Sequence, residues 1–257
     1  MGMRVFREPF INEILGGNTL TRLRKPERDE IDETTGLKVH KPAEKGYSEL
    51  RYGRTKVISD LELQDMLNAA DKIKEQFYRL RAKAVIALFR LSGKRRGELA
   101  MLELNDFTIE KNLLNVLFHL EKKRKNSPPK KRIAIKSFLL SDPLTAYVLE
   151  YVDHLKTLTP VPKYFLPRTV SVFGTSFVIM ENEHLTGRQV LRIIRQVSEA
   201  SWCHLFRETK GADCIKLDPT VTGAFLVQDT LDLERIETGY AYMKRYAHSI
   251  IKRPEQK

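Results

Sequence analysis

Three short stretches of this chain carry side chains suited to handling an oxyanion. Gly93-Lys94-Arg95-Arg96-Gly97-Glu98-Leu99 places arginines at the junction between an apolar helix and the next one, where neighbours can hold a guanidinium in a cleft. Trp202-Cys203-His204-Leu205-Phe206-Arg207 sets a histidine and an arginine three residues apart, so that on a helix they share a face. Near the C-terminus Tyr240, Tyr242 and Tyr246 crowd a basic stretch, the last two sharing a face at i and i+4. A guanidinium grips two oxygens at once and stays charged, an imidazole donates or moves a proton, and a phenol can become an oxygen nucleophile. Each stretch alone has a plainer reading: a solvated charge cluster, an ordinary His-x-x-Arg helix, a packing edge of aromatics.

Other chemistries are poorly represented. The six histidines, His40, His119, His154, His184, His204 and His248, form no HExxH motif, and none has zinc-type spacing to Cys203 or Cys214. There is no Walker loop, no GxGxxG and no GxSxG. No metal and no cofactor is expected. Lys and Arg number 45 against 33 Asp and Glu, a formal charge of +12, which points to a polyanionic partner and to nucleic acid first. The chain has no run of 18 apolar residues, MGMRVFREPF lacks the apolar stretch of a signal peptide, and Phe6 stands where a myristoylation signal needs Ser or Thr. A cytoplasmic chain that stays off the membrane is expected.

The elements that must position these groups begin late. Residues 1–56, which include RLRKPERDEIDETTGLKVHKPAEKG, are charged and lack apolar periodicity, and read as an N-terminal arm or linker. From 57 to 257 the texture is that of a domain. Ser59-Asp60-Leu61-Glu62 is a capping box ahead of Leu63, Met66, Leu67 and Ala70 at helical spacing. A second helix runs through Ala82, Val85, Ile86, Phe89 and Leu91 to Gly93, and a third is expected from Gly97 to Leu104. Two strands, 113–120 and 132–135, flank the polar connection EKKRKNSPPKK. Helices follow over Leu144 to Leu155 and, opened by Thr186, through Val190, Ile193, Ile194 and Val197, with a short hairpin or strand at 169–180 between them. From Trp202 onward the chain reads mostly helical, with breaks at Gly211, Asp218-Pro219 and near Gly223. The fold class is α+β, mainly α-helical, with a small β hairpin or sheet.

In order along the chain, these boxes resemble the catalytic domain of the tyrosine recombinase (phage-type integrase) family. SDLELQDML is similar to its opening helix, and LFRLSGKRRGELAMLELNDF to its first arginine box, Gly-x-Arg-x-x-Glu-Leu. KYFLP at 163–167 is similar to a recurrent Leu-Phe-Pro-like element, HLFR to the His-x-x-Arg box, and VQDTLDLERIETGYAY, from Val227 to Tyr242, to the closing motif. The resemblance covers about two hundred residues. It departs from the family at Leu233, nine residues before Tyr242, where a His or Trp is usual, so that one phosphate hydrogen bond is either missing or supplied by His248. The family's DNA-clamping N-terminal helical domain is expected to be absent or much reduced, because fifty-odd arm-like residues cannot bury such a core.

The resemblance implies a DNA strand transferase that cuts and rejoins double-stranded DNA through a 3′-phosphotyrosyl link, assembled as a homo-oligomer on its sites. It makes Arg95 and Arg207 the phosphate-gripping arginines, Glu98 the acid supporting Arg95, and His204 a hydrogen-bond donor or proton-transfer group. Tyr242 is the first choice for nucleophile, with Tyr240 and Tyr246 as alternatives; Lys123 is taken as the proton donor to the leaving oxygen, with Lys122 and Lys125 near equivalents. The stretch Glu121 to Arg132 holds seven basic residues, Lys122, Lys123, Arg124, Lys125, Lys130, Lys131 and Arg132, against one acid, and is expected to line phosphates. The rival reading is a non-catalytic DNA-binding descendant of the same domain. An RNA-binding module would explain the charge but not the ordered boxes.

Overall fold

The computed structural model describes residues 30–31, 38–39, 57–120, 133–172, 176–199 and 201–251. Backbone contacts divide the chain into two units, Met1–Thr55 and Lys56–Lys257. In the first, strands β1 (Glu30–Ile31) and β2 (Lys38–Val39) pair antiparallel, an element with no signal in the arm's charge-rich sequence.

The second unit opens with α1 (Asp60–Asp71). Ser59 Oγ accepts from the Glu62 backbone N–H at 3.2 Å, and Glu62 Oε2 accepts from the Ser59 N–H at 2.9 Å, so the predicted capping box forms in full. Helix α2 (Gln76–Ser92) is the centre of this unit: Ala84, Val85, Ile86, Ala87, Leu88 and Phe89 are all buried, and α1 and three later helices pack around it. It ends at Gly93, whose φ of 60° is left-handed; a Cβ there would also meet Leu231 Cδ2 at 2.8 Å and Lys210 Cβ at 2.9 Å.

Helix α3 (Arg96–Ala100) is shorter than the expected run to Leu104. The Phe165 N–H donates to the Leu102 carbonyl and the Leu104 N–H to the Lys163 carbonyl, both at 2.9 Å. Pairing with the distant KYFLP segment thus captures groups that a longer helix would have used internally, and Leu104–Asp106 forms a 3₁₀ turn instead. Strand β3 (Phe107–Glu110), absent from the sequence reading, follows. It joins β4 (Leu113–His119) and β5 (Ile133–Leu139) in an antiparallel sheet of order β3-β4-β5, with β4 and β5 in register from Leu113↔Leu139 to His119↔Ile133. Leu114, Val116 and Phe118 face the core at period two.

Helix α4 (Pro143–Lys156) starts with Pro143 and an Asp142 cap on the Leu144 N–H. In the expected 169–180 segment, residues 169–172 and 176–180 lie in two antiparallel strands, β6 (Pro167–Val172) and β7 (Ser176–His184). Thr186 and Gln189 make the capping box of α5 (Gly187–Val197). The C-terminal part consists of α6 (Cys203–Leu217), α7 (Val221–Thr230) and α8 (Ile236–Ile251). Of the three expected breaks only the one at Asp218-Pro219 is present. Gly211 and Gly223 lie inside helices because a neighbour needs the space: a Cβ on Gly211 would sit 2.4 Å from Tyr242 Cε1, and one on Gly223 would sit 1.8 Å from the Asp218 carbonyl oxygen. The core has a large cluster around α2, and a smaller one in which Ala212, Cys214, Ile215, Val227 and Leu231 pack with Tyr242 and Tyr246. The unit is therefore α+β and mainly helical, with two small antiparallel sheets.

Candidate active site

Arg95 is the residue before α3, where the chain is still extended, and Glu98 one turn on closes over it. The Arg95 N–H donates to Glu98 Oε2 at 2.8 Å and its guanidinium to Glu98 Oε1 at 2.9 Å. The Glu98 side chain is fully buried while that of Arg95 is 27% exposed, so the acid fixes one edge of the guanidinium and leaves the rest open to an anion.

Arg207, from α6, is buried. Its guanidinium donates to the Gly93 carbonyl at 2.9 Å and to the Leu231 carbonyl, so it bridges the turn after α2 and the loop after α7. Burial first, then the charge of Arg95, lowers its pKa from the ordinary arginine value, against opposing contributions from Tyr242, Glu98 and Asp232. Two arginines separated by more than a hundred residues thus act on each other at one place. Like charges held together in a part-buried site are relieved by a bound anion, and a tetrahedral phosphate offers oxygens to both.

Tyr242, on α8, is buried against Gly211 and also bears electrostatically on Arg207. Its hydroxyl donates to Glu208 Oε1 at 3.4 Å; the Tyr246 hydroxyl donates to Glu208 Oε2 at 3.0 Å, and the rings stack at 6.1 Å. Arg245 donates to Glu208 Oε2 at 2.6 Å. Burial and the Glu208 carboxylate hold both phenols well above the usual tyrosine pKa. Burial also pushes the Glu208 carboxyl up, but the His204 hydrogen bond and the Arg245 charge outweigh it, and the net direction is down. Tyr240 is half-buried. His204 does not pair with Arg207 as the three-residue spacing suggested. Arg207 turns inward and His204 outward, 62% exposed, with Nε2 3.1 Å from Glu208 Oε1.

A second polar group lies beneath. Lys94, with no exposed side-chain surface, pairs with Asp232 and sits 4.9 Å over the Phe118 ring. Lys136, on β5, approaches Asp232 Oδ1 at 3.2 Å and donates to the Asp229 carbonyl at 2.8 Å. Asp232 has a φ of 48°, next to the Leu231 carbonyl that Arg207 holds. Leu233, at the departure from the family pattern, packs on the tyrosine cluster and donates its N–H to the Gln228 carbonyl at 2.8 Å. Sequence reasoning missed Glu208, Asp232 and Lys136. For Lys136 the signal was present: in IAIKSFL it shares the inward face with Ala134 and Phe138, opposite buried Val116.

The expected leaving-group lysine, Lys123, and the phosphate-lining residues Lys122, Arg124, Lys125, Lys130, Lys131 and Arg132 lie outside the described residues, as does the His248 side chain. Arg168, Arg188 and Arg192 line an open cleft of about 710 Å³ with Tyr164 and His184. Among the described residues no cluster of three or more His, Cys, Asp or Glu could hold a metal, and no helix is long and apolar enough to cross a membrane.

No protein-family model matches the sequence, and no curated protein matches it significantly. Solved structures do match. The XerH site-specific recombinase bound to difH in a pre-cleavage complex aligns with a TM-score of 0.51 at 19% identity, over 76% of this chain and 52% of that one. The XerH post-cleavage complex with palindromic difH gives 0.53 at 18%, over 76% and 51%. XerA recombinase gives 0.51 at 14%, over 77% and 66%. This chain thus spans about half the length of the XerH chains it matches. The helical architecture, the small sheet in the middle and the structural match agree: this chain has the catalytic-domain fold of the tyrosine recombinases.

Proposed function

We propose that this chain is a site-specific DNA recombinase that cuts and rejoins double-stranded DNA through a 3′-phosphotyrosyl intermediate. The observation that carries the reading is the junction made by Arg207, whose guanidinium ties Gly93 to Leu231 and feels both Arg95 and Tyr242. In this scheme Arg95 and Arg207 hold the non-bridging oxygens and stabilise the added charge of the pentacoordinate transition state. Tyr242 attacks phosphorus, the bond to the 5′ oxygen breaks, and a hairpin lysine, Lys123, protonates that oxygen. His204, exposed at the rim, donates a hydrogen bond to the phosphate. The phosphotyrosyl ester conserves the bond energy, so religation needs no nucleotide. A free phenol lies about three units above neutrality, a deprotonation cost of about 4 kcal/mol, and the arginines' positive charge must offset this and more at a buried tyrosine.

The enzyme would work as a homo-oligomer on DNA, with the basic connection between β4 and β5 along the phosphates and residues 1–56 as an arm. A nicked suicide duplex carrying the target tests the reading: a covalent adduct resistant to denaturant is expected, and Tyr242→Phe should abolish it. Mapping the adduct to Tyr240 or Tyr246 by peptide mass would move the nucleophile.

Two observations favour the rival, a DNA-binding protein without strand transfer: Tyr242 is only 5% exposed and its hydroxyl is held by the Glu208 carboxylate, and the Leu233 side chain offers no hydrogen bond to a phosphate. Binding without adducts on the suicide substrate would establish it.

A further inference from the structure

The recombinase scheme leaves one question of chemistry open: what removes the proton from the attacking phenol. The arginines cannot do so, since they remain protonated at any accessible pH. The one carboxylate in contact with the Tyr242 hydroxyl among the described residues is Glu208, a residue to which the motif reading gave no role. Its two oxygens have different duties. Oε2 is anchored by the Tyr246 hydroxyl at 3.0 Å and the Arg245 guanidinium at 2.6 Å, which fix the plane of the carboxylate. Oε1 faces the Tyr242 hydroxyl at 3.4 Å on one side and His204 Nε2 at 3.1 Å on the other. A buried phenol, a carboxylate and a solvent-exposed imidazole therefore stand in line.

We infer that Glu208 is the general base of strand cleavage, taking the phenolic proton of Tyr242 on Oε1 as the oxygen bonds to phosphorus. The assignment rests on the recombinase reading above. The O–H bond of Tyr242 breaks, its electron pair forms the O–P bond, and the P–O bond to the 5′ carbon's oxygen breaks, that oxygen collecting a proton from its own donor. The proton on Glu208 is then released to solvent beside the exposed His204 ring, whose Nε2–H supports the carboxylate at 3.1 Å. Early proton transfer is uphill, because burial and Glu208 itself hold the phenol above its usual pKa and the carboxyl lies below the usual range. Transfer therefore comes late, when the forming ester bond has made the phenolic oxygen a far weaker base, as for the catalytic aspartate of a kinase that accepts a hydroxyl proton. Tyr246, though nearer to the carboxylate, serves as a positioning residue by holding Oε2.

The full chain on a nicked suicide duplex supplies the test. Glu208→Gln keeps the shape and the hydrogen-bonding oxygen but cannot take the proton. Its adduct formation at pH 7 should fall about 10²- to 10⁴-fold, the usual range for a lost general base, with duplex binding unchanged. The parent rate should be flat from about pH 6 to 8, because an ionised carboxylate in this range needs no further deprotonation. The Glu208→Gln rate should instead climb about tenfold per pH unit, as hydroxide takes over the proton. Glu208→Ala should be restored by added formate. A Glu208→Gln chain that keeps pace with the parent, a lost rate with the parent's flat pH profile, or a Glu208→Ala chain deaf to formate overturns the assignment. A parent that forms no adduct removes the recombinase reading and this assignment together, whereas a parent that reacts beside an equally active Glu208→Gln removes Glu208 alone.

Discussion

Asp232→Asn isolates the charge that keeps Lys94 inside the protein. Asn tolerates the left-handed φ of 48° at this position and nearly preserves the shape, so the substitution removes the negative charge and little else. Lys94 has no exposed side-chain surface and Asp232 is only 17% exposed, so the ammonium is left in a dry site without its ion-pair partner, with Glu98 the remaining negative charge acting on it. Breaking a buried pair from one side costs about 3–5 kcal/mol; since the Asn carbonyl still accepts one hydrogen bond, the lower end, about 3 kcal/mol, applies. For a unit of this size that is a drop of about 6–12 °C in Tm. Lys136 loses an ionic partner but keeps the Asp229 carbonyl, so it adds little. The double variant Lys94→Met, Asp232→Asn should recover most of the loss, because no unpaired charge remains. The pH dependence has a definite sign. Burial first lowers the Lys94 pKa below the ordinary lysine value, and Asp232 restores it only in part. The unfolded chain then binds more protons, so stability rises with pH as it climbs through the lowered pKa toward the ordinary value of about 10.4. That contribution should be larger in Asp232→Asn and lost when Lys94 is methionine, which leaves only the rise from other buried lysines such as Lys210. Urea melts from pH 7 to 10 measure all of this. An Asp232→Asn chain within about 0.5 kcal/mol of the parent, or a double variant no more stable than the single, would refute the idea that the pair offsets a buried charge.

Other substitutions probe the geometry of the site. Arg207→Lys cannot span the Gly93 and Leu231 carbonyls and a phosphate together, so adduct formation should fall at least about a hundredfold while duplex affinity changes far less; equal rates would show that the bridge does not position the chemistry. Gly211→Ala should destabilise by about 1–3 kcal/mol, because its methyl group would lie 2.4 and 2.5 Å from Tyr242 ring carbons, despite the gain of about 1 kcal/mol in helix propensity. A net stabilisation in a thermal melt would show that the ring is not held there. Duplex binding should weaken about a thousandfold or more between roughly 50 and 200 mM salt if six or more phosphates are contacted, and charge removal at Lys122, Arg124 and Lys125 should flatten that slope. An unchanged slope in the triple variant would take the connection off the DNA.

What could be read from the sequence was local. The capping boxes at Ser59 and Thr186 are contained within four residues, and the alternation of Leu114, Val116 and Phe118 lies in one strand, so pattern and structure agree. The order of the arginine, His-x-x-Arg and tyrosine boxes was likewise legible because each is short. What failed depended on partners far along the chain. The end of α3 is set by Lys163 and Phe165, and the continuity of α6 through Gly211 by a tyrosine ring from α8. Glu208 looks like any surface acid until two phenols, a guanidinium and an imidazole are folded onto it.

The same division sets what such a site requires of its sequence. Arg207 is held by two main-chain carbonyls, and a carbonyl is present whatever side chain its residue carries. The requirement at Gly93 is a left-handed turn with no room for a Cβ, and at Leu231 only that the loop after α7 pass close to α2. Side chains next to these points can then vary: Asp232 occupies a left-handed position, and Leu233 faces the tyrosine cluster with an apolar group. A site anchored through the backbone keeps its geometry while the residues that a motif would read are replaced. On the proposed reading, the chemistry falls to the few side chains there that carry charge or a proton, Arg95, Arg207, Glu208 and Tyr242.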